Sequence, residues 1–81
     1  MVKFINYWMF ATHIWLDAKP TPVAINLNEI LRIEEKQDEN IGEHTCVYLK
    51  NNNAIPIEGD IINVLDELQK HLKFLLTLKS I

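Results

Sequence analysis

The stretch VYLKNNNAIPIEGDIINVLDEL, Val47 to Leu68, contains two short apolar runs, three asparagines between them, and then a Gly-Asp pair. Asparagine tolerates positive φ better than most residues, so KNNN predicts the tight turn of a β-hairpin. The hairpin joins a strand over about 44–50 to one over about 54–57. Pro56 lacks a backbone N–H, which predicts that the second strand lies at a sheet edge.

A helix is predicted directly after this hairpin, over about residues 60–78. Gly59 breaks the strand, and Asp60 is a good N-cap. Apolar residues then recur at three- and four-residue steps, a pattern typical of a helix that packs one side on a sheet. This predicted packing stripe consists of Ile61, Val64, Leu65, Leu68, Leu72 and Leu75. Beyond Lys73 the helix is apolar on nearly all sides.

Three more strands are predicted before the hairpin. Their approximate ranges are 2–16, 23–27 and 30–36. The first is rich in aromatic and β-branched residues and fits one long or two short strands. The segment DAKPTP, residues 17–22, predicts a turn because its two prolines remove backbone donors. Helix is the alternative for NEILRIEEK, which contains good helix formers.

The predicted fold class is therefore α+β, a single domain with a small antiparallel sheet of four to five strands and one C-terminal amphipathic helix. At 81 residues the chain buries only about 60% of its unfolded surface, so self-association would stabilise it. Its single cysteine, Cys46, cannot form an internal disulfide, which fits a cytoplasmic protein.

The net charge and the hydropathy of the sequence limit which classes of partner are expected. The formal net charge of −3 argues against nucleic-acid binding, which requires lysines and arginines gathered on one face. The apolar opening MVKFINYWMFATHIWL is shorter than the roughly 20 residues that span a bilayer, and it carries Lys3, Asn6 and His13. A soluble strand is favoured over a membrane segment.

No catalytic residues, metal site or cofactor are predicted. With only two glycines the chain has no glycine-rich phosphate loop. His44 and Cys46 lie two apart on a predicted strand and share a face, which could present two metal ligands or a nucleophile with its base. A third ligand would have to come from His13 or a carboxylate, and simple burial of the cysteine is the alternative.

Two candidate interaction sites remain. The first is an aromatic and aliphatic surface for self-association, because tryptophan concentrates at interface anchors. Its candidate residues are Tyr7, Trp8, Phe10, Trp15, Phe74, Leu76 and Leu78. The second is the acidic loop over residues 37–43, with Asp38, Glu39 and Glu43 as candidate contacts for one host protein.

Over residues 10–68 the chain resembles the small FlbD/SwrD-like flagellar proteins and related short phage and Bacteroidetes proteins. The similarity rests on a strand ending in Ile-Asn, an Ile-x-x-Ile-Glu strand, a hairpin and a Val-containing helix. The matching residues are Asn26, Ile30, Ile33, Glu34, Leu49, Asn51, Ile57 and Val64. The hairpin glycine of that family is replaced within KNNN. The same region also resembles part of a LytTR-type DNA-binding domain, without its basic contact residues.

The sequence therefore predicts a non-enzymatic interaction module that forms a homodimer or a higher oligomer. Two alternatives remain open. One is an inhibitor, encoded by a phage or mobile element, that binds a host protein. The other is a LytTR-like nucleic-acid-binding domain.

Overall fold

The computed structural model describes residues 2–15 and 18–79, without the side chains of Trp15, Ala18 and Lys79. Six strands, one short 3₁₀ helix and one α-helix follow one another along the chain. The strands are β1 (Lys3–Ile5), β2 (Trp8–Trp15), β3 (Ala18–Asn26), β4 (Ile30–Asp38), β5 (Gly42–Leu49) and β6 (Ala54–Ile57). The 3₁₀ helix covers Leu27–Glu29, and the α-helix α1 covers Ile61–Lys79. The predicted α+β class is confirmed.

All strand pairs in the sheet are antiparallel. The order is β1-β2-β6-β5-β4, and β3 pairs with β2 outside this path. Since β1 pairs with the first three residues of β2 and β6 pairs at His13, β1 and β6 lie end to end along one side of β2. The pairing of β3 runs along the other side of β2.

Tight turns occur where the backbone adopts positive φ. Asn6, at φ 52°, divides the predicted 2–16 strand into β1 and β2. Asn52, at φ 71°, lies in the KNNN turn and confirms the role given to the asparagines. Gly42, at φ 84°, follows the three-residue turn between β4 and β5, where an added Cβ would be strained. The helical alternative for NEILRIEEK is wrong, because residues 30–38 pair with β5.

The predicted turn over residues 17–22 is wrong for its last part, because residues 18–22 belong to β3. Pro22 pairs with Thr12, and Lys19 to Pro22 are exposed. Among the described strands β3 pairs only with β2. An edge strand tolerates proline because its outward N–H groups have no ladder partner to lose.

The prediction that β6 is an edge strand is also wrong, since β6 lies between β2 and β5. Pro56 nevertheless limits the number of residues through which β6 pairs with β2. The N–H of Glu58 donates to the Thr12 carbonyl at 2.8 Å, and residues two apart direct their N–H groups to the same side. The missing N–H of Pro56 therefore faces β2, and pairing with β2 is restricted to His13 and Ile57.

The core lies between one face of the sheet and α1. It contains Met9, Ala11, Ile25, Val47, Ile57 and Val64. Along α1, Val64 and Leu75 are buried and Ile61 and Leu68 are half-buried. The predicted stripe is wrong for Leu65 and Leu72, which are 44% and 46% exposed. His71, between Leu68 and Leu75, is half-buried instead. The helix α1 is therefore rotated about its axis so that the side bearing His71 faces β1.

The junction between β6 and α1 is held by two side chains. The fully buried Thr45 hydroxyl donates to the Gly59 carbonyl at 2.8 Å. Asp60 caps the helix as predicted, because its Oδ1 accepts from the Ile62 N–H at 2.8 Å. These bonds fix where α1 starts on the sheet.

Candidate interaction surfaces

The first apolar surface, here called the sheet patch, consists of Ile5, Trp8 and Phe10. Ile5 and Trp8 are paired across β1 and β2, and Phe10 lies two residues beyond Trp8 on the same face. Their neighbours Phe4 and Met9 point to the opposite face, toward the core. The three side chains of the sheet patch are between 40% and 47% exposed, on the face that α1 does not cover.

The second apolar surface, here called the outer stripe, runs along α1. It consists of Ile62, Leu65, Leu72 and Leu76, which are between 44% and 75% exposed. On a helix of 3.6 residues per turn these four lie on one side, roughly 110° around the axis from the buried residues. Phe74 and Leu78 are also exposed and lie on the other flank of the buried side.

The predicted self-association residues therefore do not form one surface. Trp8 and Phe10 lie in the sheet patch, whereas Leu76 lies in the outer stripe. Tyr7 is exposed in the β1–β2 turn, where its carbonyl accepts from the Leu27 N–H at 2.8 Å. The side chain of Trp15 lies outside the described residues.

One contact does link the N-terminal hairpin to the C-terminal half of α1. The His71 ring stacks on Phe4 at 5.5 Å between centroids and on Phe74 at 6.0 Å. His71 Nε2 lies 2.5 Å from the Asn6 carbonyl, so the ring nitrogen donates. Sequence reasoning missed His71, although it stands three residues after Leu68 and four before Leu75, at core spacing.

A charged cluster occupies the β4 end of the face that bears the sheet patch. Arg32 Nε donates to Glu34 at 2.9 Å, and its guanidinium lies 4.0 Å from the centroid of the Tyr48 ring. The Arg32 bond lowers the pKa of Glu34, and a Tyr48 hydrogen bond raises the pKa of Lys36. Glu34 also contacts Lys36 at 3.7 Å. Both cations are thus already engaged with a carboxylate and a tyrosine.

The acidic loop is held by its own side chains. Asp38 Oδ1 accepts from the N–H groups of Asn40 and Ile41, which lowers the pKa of the Asp38 carboxyl. Glu39 is exposed in the three-residue turn. Glu43 lies beside Glu35, and a hydrogen bond and charge repulsion from Glu43 raise the pKa of Glu35. Asp38 therefore shapes the turn and Glu43 contacts Glu35, while all three candidate residues remain exposed.

The histidine and cysteine constellation is not assembled. His44 and Cys46 are buried on one face of β5. Thr45 pairs with Ile57, and Ile57 pairs with His13, so His13 lies on the opposite face. Burial lowers the pKa of His13. Among residues 2–15 and 18–79, no three His, Cys, Asp or Glu side chains group closely enough to hold a metal ion.

A cavity of about 490 Å³ opens beside the first turns of α1. Its walls include Val2 and Val64, and its polar lining is dominated by carboxylates. The acidic lining residues are Glu58, Asp60 and Glu67. Asp60 is already used as the helix cap, so this cavity is first of all part of the β6–α1 junction. Within the part of the chain that the structure describes, no helix combines the length and apolar character needed to cross a bilayer.

Comparison with known proteins found no match to the chain among family models, curated proteins or solved structures. The resemblance to the FlbD/SwrD-like flagellar proteins stays a prediction from the residues quoted above.

Proposed function

We propose that this chain is a small non-enzymatic interaction module that self-associates. The observation that supports it is the pair of exposed apolar surfaces on opposite sides of the fold, the sheet patch and the outer stripe. Seven large apolar side chains stand exposed in them, two of them aromatic. Exposed apolar patches of this kind mark interaction sites more often than unused surface.

The energy available from these surfaces is enough for a weak association. Burying a large apolar side chain completely contributes about 1.5–3 kcal/mol, so a half-exposed one contributes about 1 kcal/mol. A two-fold contact through the outer stripe counts four side chains twice, which gives about 8 kcal/mol. Association costs about 4–15 kcal/mol, and at the low end of that range about 4 kcal/mol remains, so we expect a dissociation constant of about 1 mM.

The charge distribution favours this proposal over nucleic-acid binding. Arg32 and Lys36 lie on one face, as phosphate contacts require, but both contact Glu34. With a net charge of −3, little electrostatic attraction for phosphate remains. The host-protein alternative gains no support from the acidic loop, where Asp38 is committed to the turn.

The experiment that tests the proposal is light scattering on the pure protein from about 10 µM to about 1 mM, the range set by the expected affinity. The average mass of wild type should rise from the 9.5 kDa of the monomer toward that of a dimer as the concentration approaches about 1 mM. Trp8→Ala tests the sheet patch and Leu76→Ala tests the outer stripe. At least one of them should shift the transition to higher concentration.

Leu31→Ala is the matched control. Leu31 is a leucine of β4 that is 58% exposed and belongs to neither surface, so its loss should leave the transition in place. A monomer mass throughout the range would refute self-association. A transition that neither Trp8→Ala nor Leu76→Ala moves would refute both surfaces.

A further inference from the structure

The outer stripe has the spacing of a helix-pairing seam. Its residues lie at positions 62, 65, 72 and 76, and Gln69 fills the place between Leu65 and Leu72. The steps are three, four, three and four residues, which is the spacing of the a and d positions of a coiled coil. The buried side of α1 has its own residues at other positions, including Val64 and Leu75. The stripe is therefore a second seam that the sheet of the same chain does not cover.

The two flanks of this seam differ. On one flank, helical spacing places Leu68 and Leu75, which pack toward the sheet. On the other flank it places Asp66 and Lys73, both exposed to solvent. These two side chains carry opposite charges and lie seven residues apart, two turns along the same side of α1.

We infer that the outer stripe pairs with the outer stripe of a second copy of this chain, with the two α1 helices antiparallel. An antiparallel two-fold contact brings like flanks together, so Asp66 of each copy meets Lys73 of the other. A parallel contact would instead place the Asp66–Lys73 flank against the sheet-side flank of the second copy, where Leu68 and Leu75 lie. Charge complementarity therefore selects the antiparallel arrangement.

One register overlaps the whole stripe. With Leu65 facing Leu76 of the second copy, Gln69 faces Leu72 and Ile62 faces the position of Lys79, within the overlap of the two helices. Asp66 and Lys73 then lie diagonally opposite on the solvent side, forming two ion pairs related by the two-fold axis. Gln69 is the polar residue between Leu65 and Leu72 in this seam, and polar residues at such positions fix register at a cost in stability.

The charge pattern of α1 also favours a second copy over a lipid surface. Helices that lie on membranes carry mainly lysine and arginine on the polar face. The polar side of α1 contains Asp66 and Glu67 beside Lys70 and Lys73, with Lys70 in contact with both acids at 3.1 and 3.8 Å. This mixed charge gives an anionic bilayer little attraction.

The inference rests on the proposed self-association, and a charge exchange tests it. Asp66→Lys leaves lysine at both flank positions, and Lys73→Asp leaves aspartate at both. Each variant alone should dimerise about tenfold more weakly than wild type, because two attractive pairs become repulsive. An equimolar mixture should recover the wild-type affinity as a heterodimer, and so should the double variant. Gln69→Leu should tighten the dimer about tenfold. Circular dichroism on each variant checks that α1 remains helical.

The results separate this inference from the proposed function. A dimer whose affinity is insensitive to these charges, or a mixture no tighter than the separate variants, would overturn the antiparallel seam and leave self-association in place. A monomer at about 1 mM would overturn both. Binding of wild type to neutral phosphatidylcholine vesicles at concentrations where no dimer forms would assign the stripe to lipid and also overturn the inference.

Discussion

His71 is the side chain that sets the roll of α1, and its replacement gives a sharp test of the fold. His71→Ala removes the bond to the Asn6 carbonyl, which contributes about 1 kcal/mol, and the contacts with Phe4 and Phe74, which contribute about 0.5–1.5 kcal/mol. The free energy of unfolding should therefore fall by about 2 kcal/mol. For a domain of this size that lowers the urea midpoint by roughly 1–2 M.

The assay is urea unfolding followed by circular dichroism at a protein concentration where the chain is monomeric. Thr77→Ala is the control, because Thr77 is exposed on the same half of α1 and its hydroxyl donates to the Lys73 carbonyl of its own helix. The free energy of unfolding of Thr77→Ala should stay within about 0.5 kcal/mol of that of wild type. An unchanged midpoint for His71→Ala would refute the conclusion that His71 anchors the helix.

Three further changes probe the junction and the acidic pair. Thr45→Val leaves the Gly59 carbonyl without its donor and should cost about 1–3 kcal/mol in urea unfolding, whereas Thr45→Ser should retain most of that stability. Asp60→Ala removes the helix cap and should cost about 1 kcal/mol, and Asp60→Asn should cost much less. Glu43→Gln should move the pKa of Glu35 downward in an NMR titration, because the raised value depends first on Glu43. Because the pKa of Glu35 is raised in the folded state, this group stabilises the fold at pH values below the ordinary glutamate pKa, and the stability is lost as pH rises through the folded-state pKa. On acidification the free energy of unfolding of wild type should therefore increase relative to that of Glu43→Gln.

The local signals in the sequence predicted most of the fold. The asparagines of KNNN and Gly59 tolerate positive φ, and the Asp60 side chain caps the helix, so the hairpin and the helix start follow from these residues. Val23 and Ile25 likewise alternate with Ala24, a period-two pattern typical of a half-buried strand, and they lie on the more buried face of β3. These features depend on neighbours within a few residues, which is the range that a sequence pattern describes.

The predictions that are wrong concern features that depend on which strands pair with each other. The prolines of DAKPTP predict a turn, but the free edge of β3 accommodates them in a strand. Pro56 predicts an edge strand, but β6 is internal because it forms only one pair on the proline side. The number of strands also depended on Asn6, whose positive φ divides a continuous apolar run.

The candidate surfaces were predicted in residue type but not in arrangement. The excess of aromatic residues and leucines indicates that some apolar side chains stay exposed, and Trp8, Phe10 and Leu76 are exposed in the structure. Their separation onto opposite sides of the sheet depends on which face α1 covers. The roll of α1 in turn depends on His71 and its contact with a carbonyl 65 positions earlier in the chain. No local pattern encodes that contact.

The placement of α1 on one face of the sheet limits how copies of this chain can assemble. It leaves the sheet patch on one side of the molecule and the outer stripe on the other, so a two-fold contact through one cannot occlude the second. If both surfaces paired with copies of the same chain, each dimer would present a new free surface at either end, and growth would continue as an open filament. A discrete assembly therefore requires that one surface accept a different partner, or bind too weakly to act at cellular concentration. Substitutions at Trp8 and at Leu76 then test two separate contacts. Trp8 tests the contact through the sheet patch, where assembly stops, and Leu76 tests the pairing of two copies through the outer stripe.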